Sequence, residues 1–185
     1  MKERPIIFSY AMIKAIMAGS KTFTRRIVKD PYQNFPKVTK HITSNEFDFH
    51  LFDGIGKYTT CPYGSPGDHL WVRETWDQGC MGGAIFKADY SEEELINAPG
   101  GVFKWKSPFH LKRINARLFL EIISTNVERV QEITKINAIR EGFLAFPTRS
   151  LTPDLNFQLY WKALNGNESY DANPWVWVIE FKRIS

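Results

Sequence analysis

The stretch from Arg113 to Val130 constrains this chain most. Within it Leu118, Leu120 and Ile122 alternate with Phe119, Glu121 and Ile123, the period-2 pattern of a strand. At roughly eighteen residues it exceeds a usual strand, so a bend or bulge is expected near Ser124-Thr125-Asn126. A second strand follows the turn signal Asn173-Pro174: the apolar content of Trp175-Val176-Trp177-Val178-Ile179-Glu180-Phe181-Lys182 predicts burial on at least one face.

The remaining elements are short. Pro5-Ile6-Ile7-Phe8 reads as a strand, Ser9 as an N-cap, and Tyr10 to Ala18 as a helix with Met12, Ile13, Ile16 and Met17 at helical spacing. Gly19 stands where a C′ glycine ends that helix; Thr22 to Val28 then has strand character, up to Lys29-Asp30-Pro31. Tyr32 to Ser44 shows no period and reads as loop. Glu46 to Phe52 and Lys57 to Thr60, joined by the turn glycines of Asp53-Gly54-Ile55-Gly56, read as a hairpin. Pro62 to Asp68 is a tight loop leading into a strand over His69 to Arg73. Ala84 to Tyr90 is a further strand candidate, followed by a helical turn at Glu92 to Ile96, capped by Ser91 and ended by Pro99-Gly100-Gly101. Thr134 caps a helix that stops at Gly142. Thr152-Pro153-Asp154 opens a clearer one, with Leu155, Leu159, Tyr160 and Leu164 on a face. Five or more strands interrupted by three short helices, rather than alternating with them, predict a mixed α+β fold: a closed or nearly closed β barrel with helices at its ends. A doubly wound parallel sheet fits less well.

At 185 residues the chain is expected to form one domain over residues 1–185. With 43% hydrophobic and 24% charged residues the composition is that of a folded protein, not a disordered one. No stretch approaches the roughly 20 apolar residues that span a bilayer, and no signal-peptide core follows Met1-Lys2-Glu3-Arg4, so a cytoplasmic location and no membrane partner are expected. Cys61, Cys80 and the four histidines show no zinc spacing, and no metal or other cofactor is called for. The net charge of +4 biases the chain towards anionic partners.

The stretch Gly19-Ser20-Lys21-Thr22-Phe23-Thr24-Arg25-Arg26 crowds hydroxyls, an ammonium and two guanidinium groups behind a helix stop, and reads as a site. Its expected partner is Glu74, at the end of Leu70-Trp71-Val72-Arg73-Glu74. Arg25, Arg26 and Arg73 suit phosphate contacts or stacking on a base, with Trp76 and Tyr63 as candidate aromatic platforms. Trp71, Trp175 and Trp177 read as core, and Asp68 as a turn-closing carboxylate.

Four stretches in order, Gly19-Ser20-Lys21 with Thr24-Arg25-Arg26, Cys61 to Trp76, Glu141-Gly142, and Asp171 to Phe181, resemble the ASCH-domain proteins, particularly those of phages and prophages. The resemblance covers nearly the whole chain except Pro31 to Thr60, which reads as an insertion at about 31–60, and Ser91 to Phe103. It implies a PUA-like pseudobarrel with about three helices beside a cleft, and binding of RNA or a modified nucleoside. It also implies an alternative, an amidohydrolase acting on N4-acetylcytidine-like nucleosides with Lys21, Thr24 and Glu74 as the catalytic group; a ribonuclease activity is less favoured. A phage accessory or morphogenetic role is a third reading. For hydrolysis Lys21 must deprotonate Thr24, which requires desolvation to lower its pKa from about 10.4; the arginines push the same way and an ion pair with Glu74 the other. Residues three apart in a regular strand face opposite sides, so Lys21 and Thr24 converge only if the helix exit is a turn or bulge.

Overall fold

The structure, a computed structural model, describes residues 1–29, 33–40, 46–50, 56–79, 82–97, 103–143 and 152–184, with 48–50 as backbone alone. Five strands form the main sheet: β1 (Glu3–Ile7), β2 (Phe23–Ile27), β6 (His69–Arg73), β9 (Phe119–Arg129) and β10 (Trp175–Arg183), in the order β1-β6-β9-β10-β2. The β1–β6 pair is parallel and the others antiparallel, so the sheet is mixed. A second sheet joins β3 (Lys37–Lys40), β4 (Glu46–His50) and β5 (Gly56–Thr60), and a two-stranded ribbon joins β7 (Trp76–Gln78) to β8 (Ala84–Phe86). The helices are α1 (Tyr10–Met17), α2 (Glu92–Asn97), α3 (Lys135–Arg140) and α4 (Pro153–Asn165), four among the described residues where three were expected. The fold is α+β. None of these helices is long and apolar enough to cross a membrane.

The last strand organises the core. Alternation along β10 sends Trp175, Trp177, Ile179 and Phe181 into one cluster with Ile6, Phe8, Ile13, Leu70, Leu120 and Ile122, while Val176 and Val178 join Phe23, Ile133, Phe157 and Trp161 on the other face. It is therefore buried on both sides, between the sheet's interior and the α3–α4 pair. The expected irregularity in the long strand is present: Glu180 opposes Ser124 and Phe181 opposes Ile122, which leaves Ile123 unpaired as a bulge and bends β9 around the core.

β1 and β2 are the two edges of the five-stranded sheet, yet the Arg26 guanidinium of β2 donates from Nη2 to the Ile7 carbonyl of β1 at 2.6 Å. The twisted sheet has curled until its edges face each other, a nearly closed barrel whose seam is bridged by a side chain instead of a ladder. That seam positions the site.

Several local expectations are corrected. Residues 37–40, read as loop, form β3 on β4; four residues with one half-buried valine carry too little alternation to register. The strand expected over Ala84 to Tyr90 stops at Phe86, where Lys87–Asp89 turn as a 3₁₀ helix, and the long strand begins at Phe119 because Arg113–Asn115 is another such turn. In α4, Leu155, Leu159 and Leu164 are exposed and the buried pair is Phe157 and Trp161, one turn apart. The Asp53-Gly54-Ile55 turn and the Pro99-Gly100-Gly101 break lie outside the described residues.

Candidate functional site

α1 ends at Met17, with Ala18 as its C-cap and Gly19 at φ +74°, and the chain turns so that Lys21 bridges the Glu141 backbone before β2 begins at Phe23. The Thr22 N–H donates to the Arg140 carbonyl at 2.7 Å, which fixes this exit against the end of α3. Gly142 permits the approach. At φ +93° it adopts a backbone conformation most residues avoid, and a Cβ there would lie 3.1 Å from the Ala15 Cβ and 3.5 Å from the Lys21 Cβ. The turn before β2 thus does what a regular strand would not: Lys21 and Thr24 line one cavity.

That cavity, about 500 Å³, opens along the barrel seam between the end of β1, the edge of β2 and α4. It is lined by the cations Lys21, Arg25, Arg26 and Lys29 and by the rings of Phe8, Tyr63, Phe143, Phe157, Tyr160 and Trp161, with Lys21 and Arg26 over Phe8. Phe143 sits edge-on to Phe157 and against Tyr160, with centroids 5.6 and 5.2 Å apart, and the Tyr160 hydroxyl lies 3.1 Å from the Ser9 Oγ, which ties α4 to the start of α1.

Lys21 is 3% exposed. Its Nζ donates to the carbonyls of Phe23 at 2.7 Å and Glu141 at 3.0 Å, with the Glu141 carboxylate 3.8 Å away. Burial pushes its pKa down to about 8; Glu141 opposes this, and Arg26 and Arg25 add to it. Arg25, on the α3–α4 side of β2, is held by Glu128 and Glu141 together and lies over the Phe157 ring. Arg26 differs: among the described residues it makes no ion pair, its Nε is buried without a hydrogen-bond partner, and its guanidinium packs on Phe8. Trp161, 4% exposed, also has a buried N–H that lacks an acceptor.

Glu74 is placed elsewhere. Arg117 grips its carboxylate through Nε and Nη2, both at 3.0 Å, while the other nitrogen of that guanidinium reaches Asp89 at 2.6 Å. Burial raises the Glu74 pKa against the lowering effect of Arg117. Only its neighbour Thr75 reaches the main cavity, so the expected Lys21–Glu74 contact is corrected: the carboxylate beside Lys21 is Glu141. In the sequence Glu141-Gly142 stands out only as a motif without a role, because nothing local shows that the end of α3 abuts the exit of α1.

Tyr63 comes from the rigid turn before β6. The Asp68 carboxylate closes that turn by accepting from the Lys2 and Ser65 amides at 2.7 and 3.2 Å and from Arg4 at 3.2 Å, and the Lys2 bond leads in lowering its pKa. Tyr63 and Arg26 line both the main cavity and an adjoining hollow of about 310 Å³ that also contains Arg73. Trp76 stands apart, in β7, under the Lys106 ammonium at 4.7 Å and beside a separate hollow of about 190 Å³ with His110 and Lys112. Phe8, Phe143, Phe157, Tyr160 and Trp161 were missed as wall residues; the i, i+4 spacing of Phe157 and Trp161 is the one signal that marks them, and it marks core equally well.

No family model and no curated protein matches the sequence. Among solved structures, it is similar to the hypothetical protein PH0355, with 14% identity over the whole of both chains and a TM-score of 0.43. It is also similar to an ASCH domain from Lactobacillus crispatus JV V101, with 9% identity, 98% of this chain and 79% of that one covered, and a TM-score of 0.44. Likenesses of this degree say nothing about function.

Proposed function

We propose that the seam cavity binds a base or modified nucleoside of RNA. The observation that carries this reading is one cavity that joins the Arg26 guanidinium, which makes no ion pair among the described residues, to the rings of Phe8, Tyr63 and Tyr160. A ligand bearing ring carbonyls or phosphate oxygens would offer acceptors to that guanidinium while its flat face meets Phe8, Tyr63 or Tyr160. The cavity has the size of a small-ligand site, too small to receive a duplex. On this reading residues 1–185 form one ASCH-type, PUA-like domain of the phage and prophage kind its motifs resemble, in which about 31–60 is an insertion. The test is equilibrium binding of short single-stranded RNA and of the four ribonucleosides at two salt concentrations. Binding that weakens with salt and is lost in Arg26→Ala supports the proposal; no binding at low salt defeats it.

A second reading, amide hydrolysis, is favoured by the lowered Lys21 pKa. At pH 7.5 about a quarter of Lys21 is then neutral and able to take the proton of the Thr24 hydroxyl as it attacks an acyl carbonyl. The resulting ammonium returns that proton to the departing amine as the C–N bond breaks, and water then hydrolyses the acyl-threonine. Glu141 takes the position given to Glu74 in the sequence reading, holding the lysine in place, while Glu74 supports the wall through Thr75. Incubation with N4-acetylcytidine is the assay: amine release abolished by Thr24→Ala supports hydrolysis, and no release from wild-type protein refutes it.

A further inference from the structure

The hollow beside the main cavity has a composition the cavity lacks. Arg26, Arg73, Tyr63, Ile7 and the exposed ring of Phe109 line it, and among the described residues no acidic one does. Arg25, one residue from Arg26, is fully engaged by two carboxylates; Arg26 and Arg73 make no ion pair among the described residues, and each has a buried Nε without a partner. Arg73 stacks on Trp71 with its guanidinium 4.6 Å from the ring, which fixes its plane without using its donors. Two guanidinium groups of this kind, on β2 and β6 on either side of the β1 edge, form a cationic pair that no described carboxylate compensates.

We infer that this hollow is a phosphate subsite, and that the ligand is therefore a nucleotide or an RNA phosphodiester, with its base in the main cavity and its phosphate between Arg26 and Arg73. The inference rests on the nucleobase reading of the main cavity and goes beyond it by naming which ligands are held best. Ile7, Arg26 and Tyr63 border both spaces, so the two adjoin and one ligand can reach into both. The Arg26 bond to the Ile7 carbonyl comes from Nη2 and leaves Nη1 for an oxyanion.

The experiment compares, by calorimetric titration at low and high salt, the four ribonucleosides, their 3′- and 5′-monophosphates, and inorganic phosphate, on wild-type protein, Arg73→Gln and Arg73→Lys. Circular dichroism verifies that each variant is folded. A monophosphate is expected to bind at least about tenfold more tightly than its own nucleoside. That ratio should fall towards one in Arg73→Gln and at high salt, and be partly kept in Arg73→Lys. The 3′ and 5′ forms tell which phosphate of an RNA strand occupies the hollow. A ratio near one in wild-type protein, or one that persists in Arg73→Gln, overturns the inference even if nucleosides bind. Phosphate that binds in an Arg73-dependent way while no nucleoside or monophosphate outcompetes it preserves an anion site but overturns the nucleotide assignment, and with it the base reading. Binding of neither phosphate nor monophosphates overturns the inference outright.

Discussion

Replacing Lys21 with methionine tests whether burial controls this site. Folding moves the ammonium from an ordinary pKa of 10.5 to about 8, so keeping it charged at neutral pH costs the folded state about 3 kcal/mol. Between pH 8 and 10.5 the unfolded chain still holds the proton and the folded protein has released it, so the Lys21 contribution to stability rises with pH across that window and is constant below it. Lys21→Met removes the charge but leaves the Phe23 and Glu141 carbonyls without their donor, a loss of about 1 kcal/mol each. The variant should therefore be about 1 kcal/mol more stable than wild type at pH 7 and about 2 kcal/mol less stable near pH 10.5. Urea unfolding of both proteins at half-unit steps from pH 7 to 10.5 gives the difference directly, since the other lysines and tyrosines titrate in both and cancel. A difference that stays flat with pH, or that moves in the variant's favour as pH rises, would show that Glu141 outweighs desolvation, and the base role of Lys21 would fall with it.

Three further outcomes follow from the same geometry. Glu141→Gln leaves Arg25 with Glu128 alone and strips Lys21 of its nearest carboxylate; it should cost about 3 kcal/mol of unfolding free energy and lower the Lys21 pKa further, readable as an earlier rise of stability with pH. Gly142→Ala puts a methyl 3.1 Å from the Ala15 Cβ at a φ of +93°, and urea unfolding should show a loss of about 2 kcal/mol, whereas Gly19→Ala, strained but with open space around it, should lose less. Glu74→Gln breaks a buried carboxylate–Arg117 fork and should destabilise by about 2–3 kcal/mol while nucleoside affinity, measured on the folded variant, changes less than twofold; a large affinity loss with intact stability would return Glu74 to the binding site.

The longer strands and their punctuation were legible in the chain because their causes are local, whereas the short β3 and β7 were not. Period-2 alternation announced β9 and apolar content after Asn173-Pro174 announced β10; Ser91 and Thr134 side chains accept the helix-start amides expected of them, Pro153 opens α4, and Gly19, Gly142 and Gly166 sit at positive φ where helices end. The crowding of Lys21, Thr24, Arg25 and Arg26 was also visible as a candidate site from residue types alone. What alternation cannot convey is which face of a both-sides-buried strand meets which partner, so the aromatic wall supplied by Phe143, Phe157, Tyr160 and Trp161 stayed hidden in what read as ordinary core.

The assignment of charges was decided by tertiary structure. Arg25 and Arg26 are adjacent and chemically identical, yet the strand turns one to Glu128 and Glu141 and the other to the barrel seam, where it meets Ile7 and, among the described residues, no carboxylate. Glu74 and Glu141 were both within the motifs; Arg117, far from either in sequence, takes the first, and the glycine that lets α3 approach α1 delivers the second to Lys21. The reason is physical: the sequence sets how many charges a buried site must compensate, but Coulomb attraction acts over a few ångströms in space, and only the closure of the sheet brings those distances into being.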